Sequence, residues 1–165
     1  MQLSAKVADA MITYFEGDIK RIDHFLKVYA FAKTIGELEE IDGQTQTILE
    51  IAALTHDIGI KNSEKKYNSS AGHYQELEGP GEAWTLLWEL QVDENIIERV
   101  CWLIAHHHTY EGIDDIDYQI LVEADFLVNA AEEHMKKNAL ESVKTKIFRT
   151  EAGKKLFDDI YFRGF

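Results

Sequence analysis

Apolar residues recur at spacings of three and four along almost the whole chain, a pattern that is typical of amphipathic helices. Segments that alternate apolar and polar residues, as half-buried strands do, are scarce. Pro80 is the only proline, and no Gly/Ser-rich linker, repeat or low-complexity tract interrupts the pattern. We therefore predict an all-α fold, organised as one domain over residues 1–165.

The same pattern predicts where the helices lie. They are expected over residues 3–15, 19–38, 45–57, 79–90, 94–108 and 117–137, with two short helices flanking Gly153. The polar segment 62–72 (NSEKKYNSSAG) is predicted to be a loop. The result is a bundle of about seven or eight helices, with a core over about 20–135 and a helical C-terminal tail over about 138–165.

Charge and composition exclude several classes of function. The 30 acidic residues outnumber the 17 basic ones and give a formal net charge of −13, which disfavours binding to long nucleic acid or to an anionic membrane. A small phosphorylated substrate is not excluded, because a bound cation reverses the local field. Cys101 is the only cysteine, so we expect neither a disulfide framework nor a multi-cysteine zinc site. No secretion signal and no apolar run of about 20 residues is visible, so we expect a cytoplasmic protein.

Four polar residues fall on helix faces that are predicted to point inward. His24 lies on the apolar stripe of its helix, and His56 and Asp57 directly follow the apolar run 48–54. Asp125 shares a face with apolar neighbours one turn away. Buried unpaired carboxylates are costly, and a shared cation is one of the few arrangements that satisfies several such groups at once. Helical bundles commonly build such sites in their cores.

Each of these residues alone has a simpler explanation. A His-Asp dipeptide occurs by chance in many chains of this length. His24 by itself would suit a hydrogen-bonded core histidine, and Asp125 by itself would suit a pair with Arg21 or a helix cap. The four residues together, in this order and on these faces, favour a metal site.

The segments around these four residues also contain a sequence pattern. They read RIDHFLKVYAFAKTIG, LEIAALTHDIGIK and LVEADFLVN, and they contain the pattern H…HD…D. This pattern resembles that of the HD superfamily of metal-dependent phosphohydrolases, over about residues 21–129. The resemblance implies an HD-type all-α bundle with a core of about five helices around a metal. It also implies hydrolysis of phosphoesters or phosphoanhydrides.

The resemblance makes His24, His56, Asp57 and Asp125 the protein ligands of one divalent cation. Imidazole and carboxylate ligands without thiolate suit Mn²⁺, Mg²⁺, Fe²⁺, Co²⁺, Ni²⁺ or Zn²⁺. Four protein ligands leave up to two positions of an octahedron for a water and a phosphoryl oxygen. The expected mechanism is attack of a metal-activated water on phosphorus.

Some HD proteins hold a second metal through further histidines between the HD pair and the last Asp. The candidates here are Glu78 and the run His106, His107 and His108, of which His107 best continues an apolar stripe. A polar helix end near the C-terminal dipole would equally explain the three histidines. Two-metal relatives typically have histidine at the position that aligns with Glu78. We therefore expect one metal, with a second one less favoured.

The predicted catalytic residues are Asp57, Glu78 and His107. Protonation of the leaving group stays open between Glu64, Glu78 and His107.

Arg21 lies one turn before His24, so its guanidinium is expected to approach a phosphate near the metal or, alternatively, to pair with a ligand carboxylate. Lys61 is a second candidate, although relatives carry this lysine one residue earlier, as HDIGK where this chain reads HDIGIK. His73, from the predicted loop region, and His107 complete the predicted substrate-binding set.

Three functions are compatible with these residues. The first is hydrolysis of a small phosphorylated compound, with nucleotides the first substrates to consider. The second is a di-iron HD-type oxygenase, which requires two metals. The third is a non-catalytic module that binds a metal or nucleotide. A homo-oligomer is compatible with each of them.

Overall fold

The computed structural model describes residues 2–163. Within this range the chain forms nine α-helices and no β-strand, so the predicted all-α class is confirmed. None of these helices combines the length and the apolar character that crossing a bilayer requires. The helices are α1 (Leu3–Tyr14), α2 (Ile19–Leu38), α3 (Gly43–Thr55), α4 (Ile60–Tyr67), α5 (Gly72–Glu89), α6 (Glu94–His106), α7 (Ile116–Glu132), α8 (Lys137–Ile147) and α9 (Glu151–Tyr161).

Most of the segment 62–72, predicted as a loop, belongs to α4, and its last residue begins α5. Only two of the eight side chains of α4 are buried, and most of its residues are polar, so its composition resembles that of a loop. Contacts with α5 stabilise it instead: Lys66 Nζ and Tyr67 Oη donate to the carboxylate of Glu78 over 2.8 and 2.9 Å. The prediction was wrong because tertiary contacts, not local pattern, decide this helix.

Helix α5 begins at Gly72 rather than at residue 79, and Pro80 lies inside it. An interior proline removes one backbone hydrogen bond and usually costs about 3 kcal/mol in a helix. Here α5 packs closely along α6, and the Sγ–H of Cys101 on α6 donates to the Pro80 carbonyl over 3.3 Å. Packing between the two helices outweighs the local signal for a helix start.

Helix α3 is the centre of the bundle and contacts α1, α2, α6 and α7. Its residues from Ile48 to Thr55 are all buried, which explains why this run is apolar apart from Glu50 and Thr55. Helix α7 is buried from Asp117 to Asp125 and packs against α2 and α3. Together with α5, which covers α6, these helices surround the C-terminal ends of α3 and α6.

The C-terminal helices are tied to α7 by the buried carboxylate of Glu123. It accepts hydrogen bonds from the Thr150 hydroxyl (2.6 Å), from the backbone N–H groups of Arg149 and Thr150 (3.1 and 3.2 Å) and from Gln119. Gly153 lies inside α9 rather than between two helices as predicted. Since a Cβ there would collide with Glu123, glycine is what allows α9 to approach α7.

Candidate metal centre

His56 and His107 are held in the same way, each at the C-cap of a helix, α3 and α6 respectively. Nδ1 of His56 lies 2.7 Å from the carbonyl oxygen of Ala53, and Nδ1 of His107 lies 2.7 Å from that of Ile104. These carbonyls belong to last helical turns, where the helix itself supplies no N–H. Because a carbonyl only accepts, Nδ1 carries the proton, and each Nε2 presents a lone pair to the interior.

His24 and Asp125 come from the middle of α2 and α7. Nδ1 of His24 lies 2.9 Å from Oε2 of Glu132, so its Nε2 also faces the interior. Asp57 follows His56 directly, where the chain leaves α3. Gly59 then packs so closely against α5 that a Cβ at this position would lie 2.7 Å from backbone atoms of that helix.

The four predicted ligand side chains converge on one point. Nε2 of His24 lies 3.2 Å from Asp57 Oδ2 and 3.2 Å from Asp125 Oδ1. Nε2 of His56 lies 3.4 Å from the same two oxygens, and the two Nε2 atoms are 3.3 Å apart. Ligand atoms that share one divalent ion at roughly 2.1 Å are separated by roughly 3.0–3.5 Å. The spacing therefore fits a single cation between them.

The protonation states of these four side chains leave a group of acceptor atoms that requires a positive charge among them. With Nδ1 as the protonated nitrogen, both Nε2 atoms and both carboxylates are acceptors that face one another. The four side chains are at most 14% exposed, so water does not screen them. Oδ1 of Asp125 is buried without a hydrogen-bond donor. A divalent metal satisfies all four groups at once, so the residues fit such an ion.

In the absence of a metal, protons supply this charge. Burial disfavours the protonated form of His56, but Asp57 and Asp125 outweigh it and raise its pKa to about 9. The pKa of His24 is also raised, against burial, by the same two carboxylates. Burial favours the neutral carboxyl, yet the imidazoles lower the pKa of Asp57 to about 2 and hold that of Asp125 well below its usual range.

A cavity of about 250 Å³ opens beside the cluster. His24, Asp57 and Asp125 form its floor. Both cationic and acidic side chains line it, and Ile60 is the one aliphatic residue among those that line it. The remaining lining residues are Lys20, Arg21, Gln75, His108, Asn129, Glu132 and Glu133.

Asp57, His107 and His108 form a second group of side chains that are close enough to share a cation. Nε2 of His107 lies 3.6 Å from Asp57 Oδ1 and is buried without a hydrogen-bond partner. Burial and the neighbouring His107 lower the pKa of His108 to about 4, which keeps this ring neutral. His106 instead stacks on Trp102 at a centroid distance of 4.1 Å, in agreement with its poorer inward position.

The α5 residue that faces this second group is Gln75, not Glu78. Oε1 of Gln75 lies 2.9 Å from His108 Nε2, whereas Glu78 pairs with Lys66 and Tyr67 of α4 and does not line the cavity. Our alignment of Glu78 with a metal position was therefore displaced by one helical turn. The neutral amide of Gln75 is a weaker metal ligand than an imidazole, so Gln75 disfavours a second metal.

Lys61 is also outside the cavity. Its Nζ donates to the Tyr14 carbonyl over 3.0 Å and lies 4.9 Å from the centroid of that ring. Ile60, one residue earlier, is buried and lines the cavity instead. Since consecutive helical residues turn by about 100°, the extra residue in HDIGIK directs the ammonium away from the site.

The other two predicted substrate contacts, His73 and Arg21, differ in whether they line the cavity. His73 is exposed, contacts the Tyr74 ring in a tilted geometry at a centroid distance of 4.0 Å and does not line the cavity. Arg21 does line it, and its guanidinium binds Asp18 over 2.9 Å and also Glu64. The alternative that we considered for Arg21, an ion pair with a ligand carboxylate, is not formed, because its partners are Asp18 and Glu64.

Sequence reasoning missed six residues that line the cavity: Lys20, Ile60, Gln75, Asn129, Glu132 and Glu133. A signal was present for two of them. Asn129 and Glu132 follow Asp125 by four and seven residues, which places all three on one face of α7. Lys20 precedes Arg21 but lies on an exposed part of α2, so no local pattern marked it.

Comparisons with known proteins agree with this geometry. A solved structure described as a predicted HD superfamily hydrolase from an uncultured Thermotogales bacterium is similar, with a TM-score of 0.69 and 23% sequence identity. The similarity covers 95% of this chain and 84% of that one, and at this identity it shows the fold. No curated protein matches the sequence significantly. The HD domain family matches residues 21–144, well over half of the 165 residues, and the chain therefore belongs to the HD domain family.

Proposed function

We propose that this protein is a metal-dependent phosphohydrolase that acts on a small phosphorylated compound, with His24, His56, Asp57 and Asp125 as the ligands of a divalent cation. The observation that carries the proposal is the convergence of four acceptor atoms at 3.2–3.4 Å beside a cavity that three of the four residues line. The hydrolase description of the structural neighbour supports the same class of reaction.

A bound divalent cation would supply a water of lowered pKa and neutralise charge on the phosphoryl group. The side chains of the cavity divide the remaining tasks. Lys20 and Arg21 provide positive charge on one wall, where a phosphate would be bound and oriented. His107, whose Nε2 is buried beside Asp57, is the best-placed residue to accept a proton.

We propose nucleotides as the first substrate class and the cytoplasm as the location. Two cationic side chains at the cavity match a phosphate or a short phosphate chain. The cavity volume of about 250 Å³ suits a phosphate with a small polar group, so the base of a nucleotide would extend to the open side.

The test is a panel of phosphate esters and nucleotides, assayed for phosphate or pyrophosphate release with Mn²⁺, Mg²⁺, Fe²⁺, Co²⁺, Ni²⁺ and Zn²⁺ in turn. We expect activity that requires the metal and is lost in His56→Ala and Asp57→Ala. Asp23→Ala is the matched control, because Asp23 is exposed on α2 beside His24 and does not line the cavity. Full activity of His56→Ala in metal-free buffer would refute the proposed site.

The group formed by Asp57, His107 and His108 keeps a di-iron oxygenase as the second candidate. Such an enzyme would contain two irons per chain and consume dioxygen when its substrate is added. Metal analysis of the purified protein, combined with oxygen uptake, separates this function from hydrolysis. Tight nucleotide binding without turnover under any metal would instead indicate a binding module.

A further inference from the structure

The imidazoles of the cluster are oriented by two different devices. His56 and His107 each use a carbonyl of their own helix, three residues earlier, at 2.7 Å. His24 uses the carboxylate of Glu132, which is 108 residues away in sequence and comes from α7, at 2.9 Å.

The position of each histidine in its helix explains this difference. His56 and His107 are C-caps, so unpaired carbonyls lie within reach of Nδ1. His24 lies within the 20-residue helix α2, where the carbonyls of the preceding turn already accept backbone N–H groups. An acceptor for its Nδ1 must therefore come from another helix.

We propose that Glu132 is the positioning residue for His24, and that it fixes the tautomer in which Nε2 is free to bind the cation. The inference rests on the metal site of the proposed function. An ionised carboxylate is acceptor-only, so it requires the proton on Nδ1, and its charge makes Nε2 a stronger donor of electrons to a metal.

Glu132 and Asp125 are seven residues apart on α7, two helical turns along one face. The helix therefore delivers a ligand and the group that orients the opposite ligand. The Glu132 side chain is 27% exposed and lines the cavity, and it contacts the cluster through its bond to His24.

The first test measures metal affinity by calorimetry with Mn²⁺ and Co²⁺. Loss of a residue that orients a ligand typically weakens metal binding by about 10–100-fold, and we expect a rise in Kd of this size for Glu132→Ala. Glu133→Ala is the matched control: it removes the same charge from the same cavity wall but no contact to a histidine. We expect its Kd to rise by less than about threefold, the effect of charge alone. Equal Kd values for the two variants would overturn the proposal.

The second test reads the tautomer directly in the metal-free protein. Long-range ¹H–¹⁵N correlation spectra, recorded where the imidazoles are neutral, should show His24 protonated at Nδ1 in the wild type. Glu132→Ala should populate the Nε2-protonated form, while His56 and His107 keep their Nδ1 protons. A wild-type tautomer of His24 in Glu132→Ala would also overturn the proposal.

Glu132→Gln covers the case in which Glu132→Ala does not fold, as judged by circular dichroism and thermal unfolding. Its amide oxygen still accepts from Nδ1, so the tautomer is retained. A neutral amide bonded to Nδ1 polarises the imidazole less than a carboxylate does, so Kd rises by at least about threefold. An unchanged Kd in Glu132→Gln would count against a carboxylate role.

These measurements do not depend on turnover. A protein that binds Mn²⁺ but hydrolyses no phosphate compound would refute the proposed function and leave the role of Glu132 tested. A wild type that binds no divalent cation would also refute the proposed function, and the tautomer spectra would still decide what Glu132 does.

Discussion

Binding of a divalent cation to the metal-free protein is expected to release protons from His24 and His56. The two carboxylates of the cluster are ionised at neutral pH, since the pKa of Asp57 is about 2 and that of Asp125 is well below its usual range. The pKa of His56 is about 9, so this ring is about 99% protonated at pH 7. The raised pKa of His24 acts in the same direction. A divalent ion thus displaces the imidazole proton of His56 and the proton that His24 carries in part of the molecules.

The size of the effect follows from the number of protons displaced. Each proton makes the apparent affinity rise about tenfold per pH unit below the pKa of its imidazole. For His56 alone, raising the pH from 6.5 to 8.5 should strengthen Mn²⁺ binding by about 100-fold, or about 2.7 kcal/mol. A proton displaced from His24 over part of this range would add to that value.

Calorimetry in pairs of buffers with different ionisation enthalpies measures the protons released per metal. We expect between one and two at pH 7 for the wild type. His56→Ala should release fewer, with a flatter pH dependence, if it still binds metal. Binding of Mn²⁺ without proton release, or with an affinity that does not change between pH 6.5 and 8.5, would refute this account of the cluster.

Three further predictions concern stability and substrate binding. The pKa of His56 is about 9 in the folded protein and 6.5 when unfolded, so its contribution to the free energy of unfolding is complete below pH 6.5. Urea unfolding with a chelator present should show this free energy falling by roughly 3 kcal/mol as the pH rises to 9. Glu123→Ala leaves the backbone N–H groups of Arg149 and Thr150, just before α9, without an acceptor. Urea unfolding should therefore show a free energy of unfolding about 3 kcal/mol lower than that of the wild type, and Glu123→Gln should lower it less. Arg21→Ala should raise KM about 10–100-fold through the lost charged hydrogen bond. Lys61→Ala should raise KM less than threefold, since its ammonium binds the Tyr14 carbonyl, and equal effects in steady-state kinetics would contradict this placement.

Local sequence alone determined the all-α class and the inward direction of the four cluster residues. The stripe that contains His24 and the apolar run before His56 depend on a periodicity of 3.6 residues, which a helix expresses wherever it packs. The bonds of His56 and His107 to carbonyls three residues earlier are also local, because each ring needs only its own helix end.

Other parts of the site depend on how the helices pack. Gln75 and Glu78 differ by one turn on α5 and lie at neighbouring angles, so only the packing of α5 against α4 and α6 decides which one faces His108. The early start of α5 depended on the same packing, and local signals at Pro80 pointed elsewhere.

The contact between His24 and Glu132 joins residues 108 positions apart, and no pattern in either helix specifies the pair. Each helix fixes only the direction of its own side chain. The partner that completes the hydrogen bond is decided by the angle and register at which α2 and α7 pack, and these arise from the whole core. The sequence therefore determines which residues face the centre, and the tertiary structure determines which of them hold one another in place.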